Sequence, residues 1–344
     1  MGLVRSLRKR AFLSTGEPAT KAIPIFLARD PLSIAESRKR YFDADWYACT
    51  HGLPSPRAAW RHFVMVGEAA GLAPMSCLAG EDGRTLSQLG AELLYRMGFA
   101  VGRSTSRTLL PADPTAVRAS ALNSYGNARL AVVSALFGDD RPLLPTDPAW
   151  TASADFWLFT DRRFEDAGAW RSVHAPYHHV DPERRAAFYK THVPTWFGHY
   201  EAVLWVAPDV LMAADPASVV TRAGKSDAAL RAFPAERPCS VFGAAARRAI
   251  ARDEDMESLI AHLHAVADHP EGRAPMRYAS DVLLMRPRAD RLEALFDRWW
   301  RYILHGSASD ALSLSLALAD TPDLSHGAIA PAPLSASGEF ARCG

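Results

Sequence analysis

The chain has 344 residues, with 39 Lys and Arg against 38 Asp and Glu and a formal net charge of +1. That balance gives no global pull toward nucleic acid, so a nucleic-acid partner is not expected. A hydrophobic content of 49% and a charged content of 22% fit a globular chain long enough for one large domain beside a smaller one.

Residues 1–35 read as an irregular, basic leader. "MGLVRSLRKRAFLSTG" lacks the apolar stretch of a secretory signal. It is either a solvated tail or a short basic helix in peripheral contact with an anionic membrane surface. "MGLVRS" also matches the short myristoylation pattern. No apolar run reaches the roughly 18 residues that a membrane span needs. Cys49, Cys77, Cys239 and Cys343 lie far apart, without metal-ligand spacing. Together these features predict a cytoplasmic chain, and the basic-helix alternative for the leader would add a peripheral contact with the inner membrane.

Residues 36–80 read as a small helical module. Tyr41, Phe42, Trp46 and Tyr47 give one aromatic face, Pro54 to Arg57 a turn, and Ala59, Trp60, Phe63, Val64 and Val66 a second stripe. Residues 81–127 read as a connector, with one helix over "TLSQLGAELLYRMGF" and a turn-rich stretch after it.

Residues 128–330 read as the main α/β domain, and 331–344 as a tail. "RLAVVSALFG" and "ADFWLFTD" are predicted buried strands, the second ending at Asp161. "DPERRAAFYKTHVPTWF" is a helix with Asp181 as N-cap and Pro182 at its first position. "AVLWV" is the third strand and "YASDVLLMRP" the fourth. "ADRLEALFDRWWRYILHG" is a helix with apolar residues repeating at three and four, Asp290 as its expected N-cap and Gly306 as its stop. "SDALSLSLALAD" is the last helix. Strands alternating with helices predict a single, mostly parallel sheet flanked by helices. Ligands of such sheets bind beyond the carboxyl ends of the strands, where Asp161 and Asp209 fall.

The order of these segments resembles a bacterial and plant glycosyltransferase-like family, formerly described only as a domain of unknown function. Its plant members are linked to mucilage polysaccharide, and one was described as an alkaline ceramidase. Ala135 to Gly138, Phe159-Thr160-Asp161, Tyr189-Lys190, Trp205, "RPCSVFG", "SDVLLMR" and the Trp299-Trp300 helix with "SDALSLSLAL" carry the likeness, in order over about 200 residues. The preceding module, through Phe42, Asp43, Trp46, Tyr47, Phe63, Gly67, Gly71 and Pro74, is similar to one found beside bacterial surface-polysaccharide glycosyltransferases. The resemblance implies a nucleotide-diphospho-sugar transferase-like fold. It implies transfer of a sugar from a nucleotide sugar to a glycan acceptor in surface polysaccharide assembly.

The chain departs from the family at several polar positions. The strand-end Asp falls on Ala207, its Gly on Pro208 and its Asn on Asp209. A pair of Glu falls near Gly243 and Ala244, a Gln on Ala311, and a His on Pro194, with His192 close by. These losses leave a second reading open, a catalytically impaired relative that binds glycan or nucleotide or scaffolds an assembly. Ceramide hydrolysis stands third.

The chemistry fixes the candidates. A divalent Mn or Mg on the diphosphate takes oxygen ligands, and a second carboxylate takes the acceptor proton. Asp209 is the metal candidate, and two residues beyond Ala207 it regains the same face of an extended strand. Asp209, Asp281 and Asp310 are the catalytic candidates. Asp161, Arg185, Lys190 and Trp205 are the donor-binding ones, since a guanidinium fork and an ammonium both suit diphosphate. Five of them have a plainer reading: a cap or turn for Asp209, an N-cap for Asp310, an N-cap or an Asp–Arg pair with Arg162 or Arg163 for Asp161, and a solvated helix face for Arg185 and Lys190. "YHHVD" is a weaker metal candidate, because its adjacent His point apart and Asp181 is needed as a cap.

Overall fold

A computed structural model describes residues 42–67, 70–76, 79, 129–138, 142–174, 181–224, 228–251, 258–259, 262–263, 266, 269–272 and 274–342. The leader, the connector and the His178-His179 pair lie outside the described residues. The chain divides into two compact units, one of residues 1–106 with 237–275 and the other of 107–236 with 276–344.

In the first unit, α1 (Ala44–Thr50) starts at Asp43, whose carboxylate accepts from the Trp46 N–H at 2.9 Å. Helix α2 (Pro56–His62) starts at Ser55 with Pro at its first position, and runs into a π turn at Phe63–Gly67. Phe42, Tyr47, Trp60 and Phe63 pack ring against ring, as the two aromatic stripes predict. Gly67 is required there, because a Cβ would sit 2.1 Å from the Tyr47 hydroxyl. Helix α3 (Val241–Ala251) belongs to this unit and carries Gly243 and Ala244.

The second unit holds a seven-stranded sheet in the order β3-β2-β1-β4-β7-β6-β8. Its strands are β1 (Leu130–Leu136), β2 (Asp155–Thr160), β3 (Arg171–His174), β4 (Ala202–Val206), β6 (Leu230–Pro234), β7 (Tyr278–Met285) and β8 (His326–Ala328). The run β3-β2-β1-β4 is parallel, β7 is antiparallel to both neighbours, and β6 and β8 are parallel. Strands β1 and β2 are buried at every residue, which is why they read as continuous apolar runs rather than alternating ones. A two-stranded ribbon pairs β5 (Val210–Met212) with β9 (Phe340–Arg342), so the segment read as a tail contributes a strand.

The period of two sends successive side chains to opposite cores. Val133, Phe159, Val203, Trp205 and Leu283 face helices α4 (Pro182–Trp196), α6 (Leu292–His305) and α7 (Ala311–Ala319). Val132, Phe156, Leu204, Val206 and Val282 face the other core, with Phe340 and α5 (Pro216–Ala223). Asp181 caps α4 by accepting from the Glu183 N–H at 2.9 Å, as expected. The cap expected at Asp290 is corrected. Arg291, at φ 65°, holds the cap position of α6 with no side-chain cap, and the Asp290 carboxylate accepts from the Arg291 N–H at 3.0 Å. A left-handed corner there brings the chain off β7 and straight into the helix, which leaves no room for an extended capping residue.

Candidate active site

Helix α4 follows β3 on one side of β1, and β4 then pairs on the other side of β1. The parallel order therefore reverses between β1 and β4, and the crevice beyond their carboxyl ends is the switch point. Strand β1 leaves the sheet through Phe137 and Gly138. Gly138 is at φ 60°, and a Cβ there would lie 2.7 Å from Pro182 Cγ, so the chain passes close under the start of α4. Strand β4 leaves through Ala207, Pro208 and Asp209. Strand β7, being antiparallel to β4, begins at this same edge, and the Ala207 N–H donates to the Asp281 carbonyl at 2.8 Å.

A bulge in β7 sorts the acids. Between the pairs Ala232–Leu283 and Pro234–Tyr278, β6 advances two residues while β7 advances five. Extra residues re-aim side chains, and bulges recur beside functional sites for that reason. Ser280 and Asp281 engage different partners as a result. The Ser280 hydroxyl donates to Asp310 Oδ1 at 2.8 Å, whereas Asp281 pairs with Arg342 Nη2 at 2.5 Å.

On the helix-covered face, Lys190 is buried and ion-pairs with Asp310. Its Nζ also donates to the Ser280 carbonyl at 2.8 Å, and it stands 5.2 Å and 5.7 Å from the centroids of Trp205 and Trp299. The Trp299 indole N–H donates to the Asp310 carbonyl at 2.9 Å. Asp310 occupies the N-cap position of α7, yet its side chain makes no cap hydrogen bond. Its carboxylate is instead committed to Lys190 and Ser280. The solvated-face reading of Lys190 is likewise corrected, because α4 is buried on most sides and turns Lys190 into the core.

On the other face, Arg342 reaches Asp281 from β9. Burial raises the Asp281 pKa. The Arg342 and Lys190 charges oppose that rise, and Asp310 adds to it. The Arg342 pKa is raised too. Burial lowers it, but the Asp281 charge and hydrogen bond, with Asp209 and Glu236 behind them, outweigh that. Asp209 is half-buried in a turn closed by the Val210 N–H donating to the Ala207 carbonyl at 3.0 Å. The same-face argument for Asp209 is therefore corrected. The strand ends at Val206, and Pro208 and Asp209 are the corners of a turn, where a period of two no longer holds. Asp209 still reaches the rim, because Val210 pairs with Arg342 across the ribbon.

Asp161 ends β2 and pairs with Arg185 Nη1 at 2.8 Å, not with Arg162 or Arg163. The Arg185 guanidinium also lies 5.1 Å from the Phe137 ring centroid. Three residues that sequence reasoning did not single out belong to this region. Arg342 lay in the segment read as a tail, and Trp299 entered only through the apolar stripe and the Trp-Trp helix, with no site role. Arg184 is buried and donates to the Leu304 carbonyl at 3.0 Å, the Gly306 carbonyl at 2.9 Å and the Ile303 carbonyl, closing the C-terminus of α6. The basic pair Arg184-Arg185 carried a signal, but nothing in it says which arginine turns inward. Ala311 opens α7 directly after Asp310.

Three of the four candidate acids, Asp281, Asp310 and Asp161, are already engaged by cations of this chain, and among the described residues no three His, Cys, Asp or Glu are grouped to hold a metal. Mg or Mn would need several free oxygen ligands at one point. A cavity of about 270 Å³, lined by Glu201, Ala202, Arg231 and Arg286 among others, lies at the opposite edge of β4 and holds none of these groups. Among the described residues, no helix is long and apolar enough to cross a membrane.

No family model matches the chain, and no curated protein does. Several solved structures are similar to its fold. A bifunctional glycosyltransferase, WbbM, shares 9% identity at a TM-score of 0.33 over 55% of this chain and 38% of its own. The galactosyltransferase LgtC shares 12% at 0.30 over 54% and 70%, and mouse xyloside xylosyltransferase 1 shares 8% at 0.34 over 57% and 83%. The chain thus spans well under half of the first of these, and likenesses at this level carry no functional argument. The chain's own sheet is mostly parallel and flanked by helices, as the alternation of strands and helices in the sequence predicts.

Proposed function

We propose that the chain is a glycosyltransferase that binds a nucleotide sugar at the carboxyl rim between β1 and β4 and transfers the sugar to a glycan acceptor. The observation that carries this reading is the rim itself. Asp209, Asp281 and Asp310 reach it from a turn, a bulged strand and a helix start, beside the cations Arg342 and Lys190. The segment order that resembles polysaccharide-assembling glycosyltransferases supports the same reading and suggests a surface glycan as acceptor.

In this transfer the acceptor hydroxyl oxygen bonds to the anomeric carbon. The bond from that carbon to the diphosphate breaks, and the electron pair leaves with the nucleoside diphosphate. Asp209 takes the acceptor proton. Among the described residues it is the rim acid with no ion pair at contact distance, so its lone pairs are open. Arg185 contributes a guanidinium at the β2 end, whereas Trp205, expected as a donor contact, is fully buried in the core beneath Lys190 and lines no open surface. The test is calorimetric titration of the full chain with UDP and GDP, then release of nucleoside diphosphate from a panel of donors, beside Asp209→Asn. Binding retained with turnover lost in the variant supports the assignment, and a wild-type chain that binds neither nucleotide overturns it.

A second reading has its own observation. The family's strand-end acid falls on Ala207, and three of the candidate acids are tied to internal cations. A relative that binds donor or glycan without turnover would look like this, and nucleotide binding without product from any donor would favour it.

A further inference from the structure

We infer that Arg342, delivered by the C-terminal strand β9, is the rim's own cation and receives a diphosphate there in place of a divalent metal. The inference rests on the nucleotide-sugar reading above and names the residue that would carry the charge.

The geometry begins with β4. Its last residues turn back at Ala207–Val210, and β5 then pairs with β9 in the register Val210–Arg342, Leu211–Ala341, Met212–Phe340. That register puts Arg342 across from the residue next to Asp209. The ion pair at 2.5 Å puts it on Asp281, whose own carbonyl is held by the Ala207 N–H. Arg342 therefore stands among the elements that would have offered oxygen ligands to a metal, and its guanidinium already neutralises one of them.

The tether does not need Arg342. Three ribbon pairs and the buried Phe340 ring, packed 5.7 Å from Phe233, hold β9 in place. The Arg342 side chain remains 51% exposed while Asp281 is 22% exposed. One edge of the fork is thus fixed by a carboxylate and the rest faces outward. A guanidinium has five N–H donors, and a fork with one edge oriented is suited to a second, bidentate oxyanion. Lys190 cannot take this part, because its ammonium is buried and used by Asp310 and Ser280. Asp209 and Glu236 also act on Arg342: Glu236 is exposed, so salt and water screen it, while half-buried Asp209 leaves a second negative charge beside the fork that a bound diphosphate must tolerate.

The experiment is titration calorimetry of the full chain with UDP, GDP and inorganic pyrophosphate, each in EDTA and in Mn²⁺. Wild type is compared with Arg342→Gln and Arg342→Lys, and near-UV circular dichroism checks that the variants keep the fold. Wild-type binding should be equal in EDTA and Mn²⁺. Arg342→Gln should weaken it at least about tenfold, with Arg342→Lys, which keeps the charge and loses the fork, between the two. Binding that requires Mn²⁺, or that is unchanged in Arg342→Gln, overturns the inference while leaving the nucleotide-sugar reading intact. If pyrophosphate binds through Arg342 and neither nucleotide does, the nucleotide-sugar reading fails and the diphosphate site stands. If nothing binds, both fail.

Discussion

Removing one member of the Lys190–Asp310 pair should be far more damaging than removing both. Lys190 has 5% of its side chain exposed and Asp310 has 22%. Lys190→Met would leave the Asp310 carboxylate with the Ser280 hydroxyl alone. Asp310→Leu would leave the ammonium with one carbonyl at 2.8 Å and two ring faces more than 5 Å away. Breaking a buried pair costs about 3–5 kcal/mol, because the surviving charge is stranded away from water. For a unit of this size, about 1 kcal/mol corresponds to roughly 2–4 °C in Tm, so each single variant should melt roughly 6–20 °C lower. The double variant replaces the pair with apolar groups of similar volume and should recover most of that loss. The assay is thermal unfolding followed by near-UV circular dichroism, since Trp205 and Trp299 report the same locus. Single variants within about 1 kcal/mol of wild type, or a double variant whose loss is the sum of the two, would refute the buried-pair account.

Gly138→Ala should lower Tm by several degrees, because it forces a left-handed φ on alanine and a Cβ into Pro182, whereas Gly52→Ala meets nothing within 4 Å and costs only the φ strain. Arg184→Lys should cost about 2–3 kcal/mol in urea unfolding, since one ammonium cannot serve the α6 carbonyls that the guanidinium spans. Asp161→Asn should change stability by less than about 1 kcal/mol, because that pair is partly exposed, yet weaken nucleotide binding measured by calorimetry. His192 predicts a pH dependence. Burial lowers its pKa below the usual 6.5 in the fold, against the Phe188 carbonyl and the Asp297 charge, so the unfolded chain binds that proton more readily. Its contribution is fully present above about 6.5 and is lost as pH falls through the lowered value, and His192→Gln should flatten that part of the stability–pH curve.

Much of the frame was legible in the sequence because it rests on local rules. Strand β4 occupies the segment "AVLWV" because a parallel strand buried on both faces must be continuously apolar. Helix α4 starts where Asp181-Pro182 says it should, and α6 buries the Leu292 to Ile303 stripe. The short strands β3, β5, β8 and β9 were not legible. Three or four residues such as "HGA" or "FAR" carry no periodicity, and only their partners make them strands.

The site was half legible for a related reason. The sequence supplied the acids but not their partners. Asp310 looked like a cap because it precedes a helix, and only the folded chain brings Lys190 and Ser280 to it. Asp281 stood in the predicted fourth strand, and only the folded chain, with its bulge in β7, brings it to Arg342. Asp209 was placed by extrapolating an extended strand through Pro208, where the chain in fact turns. Arg342 could not be found from its surroundings at all, because the residue it answers to lies 61 positions earlier.

The most direct test of the central claim asks where a nucleoside diphosphate lands. Hydrogen exchange of the full chain, read by mass spectrometry with and without saturating UDP or GDP, gives that location. The account predicts slowed exchange at residues 207–210, 279–282 and 340–342, the three segments that meet at the rim. Protection confined to the helical unit or to the opposite edge of β4, or no protection with either nucleotide, would contradict it.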